Sequence, residues 1–176
     1  VEFYMKKIIL AVVMLALSSS LFASSIYKKE VPESLKSYLP KLKKSIKDNH
    51  MNILYEMDLM EKFKKSGYAK KFGADFNKNG ITSVTTLLLC NGYVGNQVSN
   101  IDPDMMVLCP IKVTLIERGN TVTVSFVKNF EVATNREVKA LLLTLDHILM
   151  HTIDLTIDQY MKDAITNAPE DAQFDD

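Results

Sequence analysis

The chain has 176 residues, 47% of them hydrophobic, which is ordinary for a globular protein and long enough for one domain with a core. Lysine plus arginine equals aspartate plus glutamate at 21 each, so the formal net charge is zero. That balance lacks the basic footprint needed to hold a nucleic-acid backbone, and no nucleic-acid partner is expected.

The first segment reads as an address rather than as structure. Met5-Lys6-Lys7 is a short basic start, residues 8–17 are an apolar run too short to span a bilayer comfortably, and residues 18–23 are mostly small. Residues 1–23 are therefore expected to be a secretory signal peptide, with Met5 as the true start, and the protein to be bacterial and periplasmic or secreted. No stable membrane anchor is expected once the signal is cleaved; an uncleaved anchor helix is the alternative. Residues 24–165 read as a single α+β domain and residues 166–176 as an acidic disordered tail.

Residues 26–31 (IYKKEV) form a weakly patterned first strand. Pro32-Glu33-Ser34 then opens a helix in which Leu35, Tyr38, Leu39, Leu42 and Ile46 recur at spacings of three and four, with lysines on the other face. Pro40 inside it is expected to kink or break it. Residues 52–58 (NILYEMD) alternate as a second strand, followed by a short basic helix over 59–71 whose apolar points are Met60, Phe63 and Tyr68. Residues 73–80 (GADFNKNG) are a turn.

Residues 81–127 are the middle of a sheet. The run 84–89 is apolar at both parities, which predicts a strand covered on both sides or central in its sheet. A polar connection leads from Cys90 to Cys109. Beyond it Ile111, Val113 and Leu115 alternate with Lys112, Thr114 and Ile116. After Arg118-Gly119-Asn120 the alternation resumes with Val122, Val124 and Phe126, so the two runs predict a hairpin. The last helix starts at Asn135. Val138, Leu141, Leu142, Leu145, Ile148 and Leu149 line the stripe expected on the sheet, and Met150, Ile153, Ile157 and Met161 a second line available to a partner subunit.

Residues 52–129 resemble the bacterial and archaeal family called domain of unknown function 302. The resemblance is carried by ILYEMD, by LLLCNG, by Asp102-Pro103-Asp104 before MMVLCP, and by the hairpin IKVTLIERGNTVTVSFV. It implies a two-layer α+β fold of the TATA-binding-protein-like group: an antiparallel sheet covered by a long C-terminal helix and an N-terminal helix, commonly a homodimer. It brings no catalytic residues. The chain departs from the family in having Asn91-Gly92 where Asn-Pro is frequent and Leu108-Cys109-Pro110 where Leu-Pro-Cys is frequent.

Cys90 and Cys109 are the two cysteines, at the ends of strands expected to be neighbours in an oxidising compartment. Parity puts Cys109 with the core-facing Ile111 and leaves Cys90 undecided. A disulfide, two buried thiols and a reactive or metal-binding pair all remain open. Cys90, Met105, Met106 and Cys109 together could offer soft ligands to copper(I). On the last helix His147, His151, Asp154 and Asp158 share one line, able to hold a divalent ion or simply to face solvent. No nucleophile elbow or phosphate loop accompanies them, and no cofactor is expected. The expected function is a non-catalytic binding or structural module. A periplasmic thiol or copper protein is the alternative, and a hydrolase with an unrecognised site the second.

Overall fold

The structure is a computed structural model and describes residues 24–166. The expected export segment (1–23), the acidic tail (from 167 on) and the Met161 side chain lie outside the described residues. Five strands form one antiparallel sheet: β1 (Ile26–Val31), β2 (Asn52–Asp58), β3 (Ser83–Cys90), β4 (Ile111–Arg118) and β5 (Thr121–Val127), in the spatial order β1-β5-β4-β3-β2. The β4–β5 hairpin turns at Gly119, whose φ of 60° suits a residue without Cβ. Even the weakly patterned β1 is a strand, because β5 supplies six consecutive pairings for it, from Ile26↔Val127 to Val31↔Val122.

Register sorts the side chains onto two faces. Leu87 lies across from Val113 and Leu89 from Ile111, while Leu115 pairs with Val124 and Val113 with Phe126. All of these are buried, as the alternation predicts for the residues of β4 and β5. The opposite face carries Lys112, Thr114 and Ile116 beside Thr123, Ser125 and Val127.

Helices roof the first face. Helix α1 (Leu35–Asp48) connects the two edge strands and buries Leu35, Tyr38, Leu42 and Ile46. It runs through Pro40 without the expected break, since buried side chains on both sides of the proline hold its two halves to one surface. Asn135 caps the last helix, its Oδ1 accepting from the amides of Glu137 and Val138 at 3.0 and 3.2 Å. That helix is 31 residues long (Arg136–Thr166), and Val138, Leu142, Leu145, Leu149 and Ile153 are its buried apolar residues. Two of its expectations change. Ile148 is exposed, and Ile153 joins the same core, with Met150 and Ile157 packed against it. The second line thus belongs largely to this chain's own interior, because one helix turned by 3.6 residues per turn presents 142, 145, 149 and 153 to one side.

Two segments differ from their sequence reading. The helix expected over 59–71 is split into α2 (Leu59–Lys65) and α3 (Tyr68–Phe72) by Gly67, whose φ of 75° turns the chain. Of its apolar points Met60 is buried, while Phe63 and Tyr68 are exposed. The polar connection after Cys90 is itself helical: α4 (Gly92–Ile101), then a 3-10 turn (Pro103–Leu108). Asn91 caps α4 by accepting from the Val94 amide at 3.0 Å, and Val98 joins the core. A one-turn helix, α5 (Asn129–Val132), leads from β5 to the terminal helix, α6.

Candidate functional site

The backbone that brings the cysteines together is pinned at several points. β3 ends at Cys90, where Asn91 turns the chain into α4. At the far end of α4, Asp102 accepts from the Asp104 amide at 3.2 Å through one oxygen and from Asn135 Nδ2 at 3.2 Å through the other. One carboxylate thereby fixes the 3-10 turn to the start of α6. The turn closes with the Cys109 amide donating to the Met106 carbonyl at 3.0 Å.

Cys90 Sγ and Cys109 Sγ lie 3.6 Å apart. A disulfide bond is about 2.0 Å long, so the pair is two thiols in contact. Both are half-buried. Burial, and after it the neighbouring Cys90, pushes the Cys109 thiol up to about 11. A thiol so raised is scarcely ionised near neutrality and is a slow nucleophile. The arrangement therefore suits a bridge formed once, or a metal that displaces the protons, better than repeated thiol catalysis.

Beside the sulfurs is a cavity of about 20 Å³, walled by Leu89, Val94, Val98, Met105, Ile111 and Leu145 among others. Met105 reaches this cavity, but its sulfur also accepts from Thr134 Oγ1 at 3.6 Å. Met106 packs against the core and does not line the cavity. Of the four sulfur residues singled out from sequence, three are gathered here.

The line on α6 fares differently. Asp154 Oδ1 accepts from the Tyr27 hydroxyl at 2.9 Å and pairs with Lys29 Nζ at 3.0 Å, so it is occupied in holding β1 to α6. His147 stands edge-on to Phe130 with ring centroids 6.2 Å apart, and His151 and Asp158 are exposed. Among the described residues no three His, Cys, Asp or Glu side chains gather as a metal site. The helical spacing was real; what it could not show is that a strand 127 residues away uses the central carboxylate.

Sequence reasoning passed over Asp146. It is fully buried, accepts from the Phe130 amide at 3.0 Å, and tethers α5 to α6. Burial pushes its carboxyl up to about 6, against the pull of the hydrogen bonds from Phe130 and Asn129. A signal existed: an acid between Leu145 and Leu149 sits on the apolar stripe.

On the other face of the sheet is an open groove of about 370 Å³. Ile26, Val107, Pro110, Val127 and Val132 supply apolar walls, and Lys112, Thr114 and Ser125 the polar groups. Val107 is 80% exposed and Ile26 54%, high for aliphatic side chains. The 3-10 turn and its neighbour Pro110 are shared ground: Leu108 lines both the groove and the sulfur cavity.

The sequence matches the family described as domain of unknown function DUF302 over residues 27–155. The chain belongs to this family. A solved DUF302 structure, that of an uncharacterised conserved protein from Bacillus stearothermophilus, is similar to it with a TM-score of 0.65 at 18% identity. The similarity covers 75% of this chain and 98% of that one, and at such identity it speaks for the fold. No curated protein matches. The DUF302 match takes in β2 to β5, all of β1 but Ile26, and both cysteines, leaving outside it the N-terminal segment and the end of α6.

Proposed function

We propose that this DUF302 chain is an exported, non-catalytic binding module that takes its ligand in the groove on the uncovered face of its sheet. A disulfide between Cys90 and Cys109 would stiffen the turn that forms one wall. The observation carrying this reading is the groove itself. Its volume of about 370 Å³ lies within the roughly 300–1,000 Å³ range of small-molecule sites. Apolar walls beside Lys112, which has no carboxylate partner among the described residues, suit a small apolar molecule bearing one negative group.

Calorimetric titration with decanoate and with decanol tests this. Decanoate should bind more tightly, and Lys112→Glu should erase the preference. Failure of both ligands to bind removes the reading. A dimer that Val107→Glu dissociates would assign the groove to a second copy instead. Export is tested separately by cell fractionation of a C-terminally tagged chain, which should appear outside the cytoplasm.

A second reading is favoured by the three sulfur side chains around one cavity: the reduced pair would take copper(I), a soft ion for which thiolate and thioether are suitable ligands. Copper(I) titration of the reduced protein should then show one site per chain that Cys90→Ser/Cys109→Ser abolishes. Equal uptake by that variant rules the site out.

A further inference from the structure

The excursion between β2 and β3, residues 59–80, is chemically unlike the rest of the molecule. The whole chain is neutral, yet this segment carries six lysines (Lys62, Lys64, Lys65, Lys70, Lys71 and Lys78) against Glu61 and Asp75. Glu61 pairs with Lys65 at 2.6 Å and Asp75 with Lys78 at 2.5 Å. Lys62, Lys64 and Lys70 are left without a carboxylate partner among the described residues.

The same segment displays aromatic rings where a solvated loop would display polar groups. Every residue from 61 to 75 is exposed, Phe63, Tyr68 and Phe72 included. The rings touch in series, Phe63 to Tyr68 with centroids 6.1 Å apart and Tyr68 to Phe72 5.8 Å apart. Lys71 Nζ lies 5.5 Å from the Phe72 centroid. A single exposed aromatic needs no explanation, but three in contact form a patch.

The patch is also held in shape. Asp58 caps α2 by accepting from the Glu61 amide at 2.8 Å, and buried Met60 anchors its first turn. Gly67 makes the bend that brings Tyr68 back toward Phe63. At the far end Asn77 closes the loop, its side chain donating to the Ile81 carbonyl at 2.7 Å and accepting from the Ile81 amide at 2.9 Å.

We infer that residues 59–80 form a docking surface for an anionic lipid bilayer. Aromatic rings settle at the level of the headgroups, and lysines reach the lipid phosphates while their methylene stems lie along the apolar layer. An acidic peptide would want a groove and fixed hydrogen-bonding partners. A run of wholly exposed residues with three flexible unpaired lysines suits a fluid charged surface better. The attachment is reversible and peripheral, and does not depend on an anchor.

The test is co-sedimentation of the full chain with vesicles of phosphatidylcholine alone or mixed with phosphatidylglycerol. The protein should partition onto the mixed vesicles, less so at high salt. Lys62→Ala/Lys64→Ala/Lys70→Ala should weaken partitioning about a hundredfold, each lysine at the surface being worth roughly fivefold. Phe63→Ser/Tyr68→Ser/Phe72→Ser should weaken it even with all lysines present. Lys36→Ala/Lys44→Ala/Lys47→Ala, on the exposed side of α1, should change it little beyond a general loss of charge. Circular dichroism confirms that each variant is folded. No partitioning onto mixed vesicles, equal partitioning onto phosphatidylcholine alone, or an equal loss in the α1 variant would each overturn the inference.

Discussion

The two faces of the sheet are made of the same five strands and obey opposite rules. On the roofed face Leu87, Val113, Leu115, Val122 and Val124 are buried beneath α1 and α6. On the other, Thr86 and Thr114 face each other with hydroxyl oxygens 3.5 Å apart, Ser125 donates to the Thr114 carbonyl at 3.4 Å, and aliphatic groups stand exposed around a groove. Strand chemistry already leans one way, with Ile111, Val113 and Leu115 on the roofed side of β4 and Lys112, Thr114 and Ile116 on the other. What cover adds is seen at the groove: beneath α1 and α6 each methylene is removed from water, whereas Ile26 and Val127 at the groove stay exposed, contribute little to folding and are free for binding.

The comparison breaks most sharply under truncation. Leu115→Ala or Leu149→Ala should cost about 2–5 kcal/mol by urea denaturation, whereas Ile26→Ala at the groove should stay within about 0.5 kcal/mol. Comparable losses at both positions would mean that the open face is covered in solution.

Oxidation comes next. Bridging Cys90 and Cys109 closes a loop of about 20 residues and should add about 3 kcal/mol in the chain-entropy model. The measurable form is a fall in urea midpoint on adding reductant, absent in Cys90→Ser/Cys109→Ser. An unchanged midpoint together with two titratable thiols in the purified protein would leave the pair reduced.

Asp146 sharpens the contrast on the roofed side, where a buried acid is tolerated because two donors meet it. Its folded-state value of about 6 lies above the roughly 3.9 of an unfolded aspartate, so between those values the folded state binds the extra proton. Its contribution is complete below the unfolded value and is lost as pH rises through the folded one. Relative to Asp146→Asn, the wild type should therefore gain on the order of 2 kcal/mol between pH 7 and pH 4. Parallel pH–stability curves for the two proteins would contradict that.

A smaller loss than that of the core truncations is expected at the rim between the faces. Tyr27→Phe removes the hydrogen bond to Asp154 and should cost about 1 kcal/mol, with Lys29 still paired to the same oxygen. Thermal melts should show a larger loss for Asp154→Ala than for Tyr27→Phe, since the alanine removes both contacts.

Much of the fold was legible because period-two alternation survives translation into structure: a strand with one wet face must write itself as alternating residues. α4 was not legible. Gly92, Gly95, Asn96 and Asn100 disfavour a helix, and it forms because Asn91 caps it and Val98 finds the core. The exposure of Phe63 and Tyr68 was not legible either, as helical spacing marks an apolar side but does not say whether anything lies against it. The cysteine pair was half legible, its two positions being suggested by strand ends and its 3.6 Å contact depending on the 3-10 turn that Asp102 ties to Asn135.

By itself the order of residues determined the five strands, the hairpin, the two principal helices and the parity of the core, because each follows from interactions among neighbours along the chain. Tertiary structure alone decided that the two sulfurs meet, that Asp154 is consumed by Tyr27 and Lys29, and that the aromatics of residues 59–80 face outward. These depend on contacts between segments tens of residues apart, whose approach is set by packing and not by any local pattern.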